Sequence, residues 1–256
     1  MRIALTFAVV SLLAFGCTEA EEPITQADDL PHLPDEVTEA PAAADRIAEP
    51  AENRVGAPRR ERRPRPPTQV NAAGADPQAP ATFTVRLNTT KGAILVDVTR
   101  AWSPHGADRF HRLVTDGFYT DVAFFRVIDG FMAQGGIHGD PNIARQWQNR
   151  RIPDDPVVQS NRRGFLSFAM AGPGSRTTQF FINLVDNQRL DGMGFAPFAR
   201  VQPASLSVVD QLHSGYGEGA PRGRGPAQGR MQAQGNTYLR SDFPNLDYIR
   251  TAEIMP

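Results

Sequence analysis

From Thr82 onward the chain is dominated by short β-rich runs, the first two of which alternate apolar and polar residues, broken repeatedly by Gly, Pro, Asn or Asp. This pattern constrains the fold more than any other feature, because strands so short cannot bury their apolar residues alone and must share a core with their neighbours. Phe83-Thr84-Val85-Arg86-Leu87 and Ala93-Ile94-Leu95-Val96-Asp97-Val98 flank Asn88-Thr89-Thr90-Lys91-Gly92 and predict a β-hairpin with one buried face. Further strands are predicted over 123–128, 131–134, 165–170, 179–185 and 198–201, with a closing strand over 246–254. Only two stretches read as helices. Ser103 is placed to cap one in which Phe110, Leu113 and Val114 recur at helical spacing before Gly117, and a second covers 205–213. Many short strands, two helices and no βαβ repeat predict an antiparallel barrel or sandwich.

The 256 residues, 40% of them hydrophobic, suffice for one sizeable core once a polar N-terminal stretch is set aside, so a single globular domain is expected over 81–256. A net charge of -1 argues against the whole chain binding nucleic acid. The only cysteine, Cys17, excludes an intramolecular disulfide. Arg2, an apolar run over 3–15 and Gly16-Cys17-Thr18 have the charged start, short core and small residue of a secretory signal, and the run is too short to span a bilayer. Gly16-Cys17 resembles the processing site of bacterial lipoproteins, with Ala14 in the place usually held by leucine. The favoured expectation is a signal peptide over 1–17, lipid attachment at Cys17 and an exported protein of the cell envelope or periplasm anchored to a bacterial membrane. Plain secretion with a free Cys17, or an N-terminus that is not exported, are the alternatives.

Residues 18–80 are rich in Ala, Pro and charged side chains without apolar periodicity, which predicts a disordered tether. Its cluster Arg59, Arg60, Arg62, Arg63 and Arg65 is read as a solvated linker in preference to a contact with anionic lipid. The five histidines form no close pair with metal-site spacing, and Asp154-Asp155 reads as a turn in preference to a catalytic pair. The segment 215–235, with Gly215, Gly217, Gly219, Gly223 and Gly225, lacks the strand-loop-helix context of a phosphate loop and is expected to be an extended Gly/Arg-rich loop.

Two stretches carry the chemistry. Phe124-Phe125-Arg126-Val127-Ile128-Asp129-Gly130-Phe131-Met132-Ala133-Gln134-Gly135-Gly136 is followed by Gly164-Phe165-Leu166-Ser167-Phe168-Ala169-Met170-Ala171-Gly172-Pro173 and Thr178-Gln179-Phe180-Phe181-Ile182. With Leu190-Asp191 and Gly194-Phe195-Ala196-Pro197-Phe198, they resemble cyclophilin-type peptidyl-prolyl cis/trans isomerases over 82–214 and the final strand. The resemblance implies an eight-stranded antiparallel closed β-barrel capped by two α-helices, with the substrate groove on its outer face. It implies catalytic roles for Arg126, Phe131, Gln134, Phe181 and Leu190. Substrate binding is implied for Met132, Ala169, Met170, Gln179 and Phe195, with Ala169 and Met170 offering backbone groups to an extended substrate.

It also implies proline-containing polypeptides as substrates, no metal or organic cofactor, and rotation about X-Pro bonds in exported polypeptides as the activity. An exposed groove needs no partner subunit, so a monomer is expected. Arg189 stands where better-known eukaryotic members have the tryptophan associated with cyclosporin binding, which implies weak sensitivity to that drug. Phe125 and Phe195 stand where histidines are common. These departures keep open a second reading, a catalytically weak proline-peptide-binding or chaperone module using the same groove.

Overall fold

The computed structural model describes residues 76–256. The signal peptide expected over 1–17, with Cys17, and the tether expected from residue 18, up to residue 75, lie outside the described residues. Eight strands form one closed antiparallel barrel: β1 (Thr82–Thr89), β2 (Gly92–Thr99), β3 (Val122–Ile128), β4 (Met132–Gly135), β5 (Phe165–Phe168), β6 (Phe180–Asn183), β7 (Pro197–Val201) and β8 (Tyr248–Ile254). Around the barrel the order is β1-β2-β7-β5-β6-β4-β3-β8, with β8 returning to β1. Closure removes the exposed edges that an open sheet of short strands would present.

The hairpin β1–β2 pairs in register from Thr82 with Thr99 to Thr89 with Gly92. Its alternate residues Val85, Leu87, Ile94, Val96 and Val98 point inward and are at most 1% exposed. They meet Phe124, Leu166, Phe168, Phe180, Ile182 and Phe198 in the barrel core. Helix α1 (Pro104–Thr115) contributes Phe110, Leu113 and Val114 to that core, as their spacing predicts. Ser103 occupies its N-cap position, but its side chain makes no capping bond to the helix. The cap comes from a distant loop. Asp155 accepts from the His105 and Gly106 N–H groups at 3.1 and 3.0 Å and from the Ser103 hydroxyl at 2.5 Å.

Beyond the barrel lie α2 (Pro141–Trp147), the single α-turn α3 (Leu206–Val209) and α4 (Gln228–Asp242). The helix expected over 205–213 is therefore reduced to a 3-10 turn at Pro203–Ser205 followed by α3. The C-terminal part of the expected loop over 215–235 is helical instead, because Met231, Tyr238 and Leu239 of α4 bury against Ala123, Phe125, Ile137 and Leu246 on the outer wall of the barrel. The expected tether boundary at residue 80 is also corrected. Asp76 pairs with the buried Arg109 at 2.7 Å, and the Ala79 N–H donates to Asp108 at 2.8 Å, so residues 76–80 lie against α1.

Candidate active site

The site begins with an irregularity in β3. Opposite β4, Phe124 faces Gly135 and Arg126 faces Gln134, which leaves Phe125 as an extra residue. A bulge of this kind breaks the alternation of a strand and re-aims side chains. Phe124 and Val127 stay in the barrel core, Phe125 packs beneath α4, and Arg126 joins the wall of an outer cavity. On the neighbouring strands Met132 and Gln134 of β4 and Phe181 of β6 reach the same cavity, Gln134 pairing with Phe181 in the ladder.

Met132, Phe181 and Leu190 form a buried apolar cluster against which Phe131, Ala169 and Phe195 pack. The Phe195 ring meets that of Phe181 nearly edge-on, with centroids 5.6 Å apart. Over this floor lies a cavity of about 260 Å³. Arg126 Nη1 donates to Gln134 Oε1 at 2.9 Å, and Gln134 Nε2 donates to Gln179 Oε1 at 2.9 Å, so a polar line runs along one side of the apolar floor. The guanidinium carbons of Arg126 and Arg189 lie 5.8 and 4.7 Å from the Phe131 ring centre, within cation-π range.

Buried polar groups hold the floor in place. The Asn187 amide donates to the Phe131 carbonyl at 2.9 Å and to Asn183 at 2.8 Å. The Asn161 amide donates to the Asp191 carboxylate and to the Phe195 carbonyl, both at 2.8 Å, and accepts from the Ser167 hydroxyl. Burial pushes the Asp191 carboxyl up, but hydrogen bonds from Ser160 and Asn161 outweigh it and hold the group below the usual carboxylate range. The turn Gln188–Met193, which carries Leu190 and Arg189, is thereby tied to strands β5 and β6. Gly136 follows β4 at φ 104°, where a Cβ would stand 2.4 Å from the Thr178 carbonyl oxygen and 2.6 Å from the Gln179 Cα. Only glycine allows the two backbones to approach so closely, and this approach brings Gln179 beside Gln134.

The remaining wall comes from the segment between α3 and α4. Glu218 accepts from Arg126 Nε and Nη2, both at 2.7 Å, in a bidentate pair 92 residues apart in sequence. The hydrogen bonds from Arg126 hold the Glu218 carboxyl below its usual range despite some burial. Arg222 and Gln228 complete the lining.

Of the residues singled out in the sequence, Arg126, Phe131, Met132, Gln134, Ala169, Met170, Phe181, Leu190 and Phe195 line the one cavity. Gln179 lies beside it, lining an adjoining concavity with Gln134, Ala169, Met170 and Gln228. The expectation for Ala169 is corrected in one respect. Its N–H already donates to the Gln179 carbonyl at 2.9 Å, so its carbonyl alone remains for an extended substrate. Phe125 is turned away from the cavity. Asp154 and Asp155 serve structure, holding the Gly174 N–H and the cap of α1, and both pair with the buried Arg176. Glu218, Arg222 and Gln228 were not singled out, for nothing local distinguishes them. The glycines around them predict an extended loop but not which side chain it presents.

The family described as cyclophilin type peptidyl-prolyl cis-trans isomerase/CLD matches residues 84–229. Peptidyl-prolyl cis-trans isomerase B of Escherichia coli is 34% identical over 174 residues, covering 64% of this chain and 94% of that protein. A peptidyl-prolyl cis-trans isomerase of Helicobacter pylori is 33% identical over 135 residues, covering 50% and 80%. Among solved structures, a cyclophilin type isomerase of Cryptosporidium parvum superposes with a TM-score of 0.52 at 21% identity, covering 68% of this chain and 98% of the other. That protein was also solved in the presence of the dipeptide Ala-Pro, with a TM-score of 0.51.

Proposed function

Since the chain belongs to the family of cyclophilin-type peptidyl-prolyl cis-trans isomerases, we propose that Arg126 and the floor Phe131, Met132, Phe181 and Leu190 form its proline site, and that it works on exported polypeptides. The observation that carries the site assignment is a guanidinium held beside an apolar cavity on the outer barrel wall. Rotation about an X-Pro bond must break amide conjugation against a barrier of roughly 18–20 kcal/mol and takes tens of seconds unaided. No covalent bond is cleaved, so neither a nucleophile nor a general acid is required.

As the bond twists, the proline nitrogen becomes pyramidal and gains a lone pair, which the planar amide lacks. A hydrogen bond from Arg126 to that lone pair favours the twisted state over the ground state, and only such differential binding accelerates the step. A charge-assisted hydrogen bond contributes about 1.5–3 kcal/mol, or roughly ten- to a hundredfold in rate. The apolar floor adds to this by holding the ring still and excluding water, and Gln134 by orienting the guanidinium. The dipeptide Ala-Pro, in whose presence the Cryptosporidium protein was solved, has the X-Pro chemistry proposed here.

Export, lipid attachment at Cys17 and assistance to folding outside the cytoplasm are supported by the signal-like sequence over 1–17. Palmitate labelling that disappears on Cys17→Ser is the expected result; an unlabelled wild type would reject the anchor. The site is tested by NMR exchange between cis and trans forms of short X-Pro peptides. Wild type is expected to accelerate exchange, and a folded Arg126→Ala variant to lose most of that acceleration. Saturable binding without acceleration by the wild type would instead indicate a proline-binding module.

A further inference from the structure

The Arg126 guanidinium has five N–H groups, and two of them, on Nε and Nη2, are matched to the two oxygens of Glu218. A third, on Nη1, goes to Gln134. What remains is one hydrogen on Nη2 and one on Nη1, the latter opposed only by the weak acceptor Met132 Sδ at 3.9 Å. A bidentate carboxylate on one edge of a guanidinium fixes its plane as well as its position.

Glu218 is itself fixed. Its carbonyl accepts from the Gly225 N–H at 2.8 Å, and its Oε1 also accepts from the Gly219 N–H at 2.9 Å. A Cβ on Gly223 would lie 2.3 Å from the Glu218 carbonyl oxygen, so the loop closes on itself in a way that only glycine allows. The foot of the loop is held by Tyr216, whose ring stacks edge-on against His213 and Phe243 and whose hydroxyl accepts from the Asn245 N–H. With Glu218 in this place the cavity remains open, so the carboxylate is a wall beside the guanidinium and does not fill the pocket.

We propose that Glu218 is a positioning residue for the isomerisation: it holds Arg126 by the Nε and Nη2 edge, so that the hydrogens engaged by neither Glu218 nor Gln134 are the ones offered to the twisting amide. An arginine side chain otherwise samples many rotamers, and ordering it in advance removes that cost from the rate-determining step. The pair is partly open to water, with side-chain exposures of 22% and 34%, so solvent limits how much the carboxylate weakens the effective charge of Arg126. This role rests on the isomerase reading of the site.

The test is to measure kcat and KM separately on X-Pro peptides for wild type, Glu218→Gln, Arg126→Ala and the double variant. Glu218 lies on a partly exposed loop, and circular dichroism checks that each variant is folded. Misplacing a catalytic group costs up to about a hundredfold in rate, and the expected effect of Glu218→Gln is a loss of about ten- to a hundredfold in kcat with KM changed less than about threefold. In the Arg126→Ala background the same change has nothing left to position and adds no further loss, the non-additivity of two residues acting as a unit. A Glu218→Gln variant with kcat at or above wild type overturns the proposal, as does a loss that multiplies with that of Arg126→Ala. A wild type without activity removes the isomerase reading and the proposal together, and is distinguished by being independent of position 218.

Discussion

At the scale of single residues, the site depends on two features that have little to do with catalysis in themselves. One is the extra residue Phe125 in β3, which lets Phe125 face α4 while Arg126 faces the cavity. The other is Gly136, which admits the Thr178–Gln179 backbone to within van der Waals contact. Placing alanine at position 136 forces a side chain onto a left-handed backbone, at roughly 1–3 kcal/mol for the conformation alone, and drives its Cβ into the Thr178 carbonyl. Gly136→Ala is therefore expected to lower the denaturation midpoint and to weaken the Gln134–Gln179 contact. A midpoint equal to that of wild type, measured in urea, would show that the two backbones separate freely. Arg126, Phe131, Met132 and Phe181 were legible because they sit in two recognisable stretches, and Leu190 because of the short Leu190-Asp191 match that follows them. Glu218 was not, because its partner lies 92 positions away and a lone acidic residue among glycines has no local signature.

At the scale of elements, alternation located the hairpin β1–β2 and short β-rich runs located the other six strands; β4 and β6 are buried along their whole length, so no alternation marks them in the sequence. Helix α4 escaped because Gly235, at φ 58° and ψ -142°, kinks it into two short helical pieces, and because its apolar residues cover a patch of barrel wall without forming a continuous stripe. The cap of α1 was assigned to the nearest suitable side chain, Ser103, whereas the structure supplies it from Asp155 about 50 residues later. Asp155 is buried, and burial pushes its carboxyl up, but hydrogen bonds from Ser103, His105 and Gly106 and the charge of Arg176 hold it below the usual carboxylate range.

A carboxylate whose pKa is depressed by folding stabilises the protein above its unfolded pKa of about 3.9, and that contribution is lost as pH falls through the lower folded value. Stability is accordingly expected to decline below about pH 4. Asp155→Ala should remove part of that acid dependence. It should also cost roughly 3–5 kcal/mol near neutral pH, because it leaves the buried Arg176 with a weaker partner. Chemical denaturation at several pH values checks both; an unchanged acid limb in Asp155→Ala would assign the dependence to other groups.

At the scale of the whole molecule, an antiparallel barrel or sandwich follows from the pattern of strands, and the closed barrel with a groove on its outer face from the resemblance to cyclophilins, while the edge of the domain follows from neither. Composition alone placed the boundary at residue 80, since Asp76, Pro77 and Gln78 look like the tether before them. The structure turns on a contact that composition does not record, the ion pair of Asp76 with the buried Arg109. Residues 76–256 are therefore expected to be more stable than residues 81–256, by roughly 3–5 kcal/mol if Arg109 is left buried without its carboxylate. Thermal unfolding of the two fragments side by side checks this, and equal midpoints would mean that Arg109 finds other partners, such as the Arg150 and Thr177 carbonyls it already contacts.

The central claim is that a fixed guanidinium and an apolar floor divide the work between rate and binding. The measurement that tests it most directly is to determine peptide affinity and kcat together for folded Arg126→Ala and Phe181→Ala variants. The account predicts that Arg126→Ala keeps peptide affinity within a few fold and loses about ten- to a hundredfold in kcat, while Phe181→Ala weakens binding first. Equal losses of affinity and rate in both variants would contradict it, because the arginine would then be holding the ground state as firmly as the twisted one.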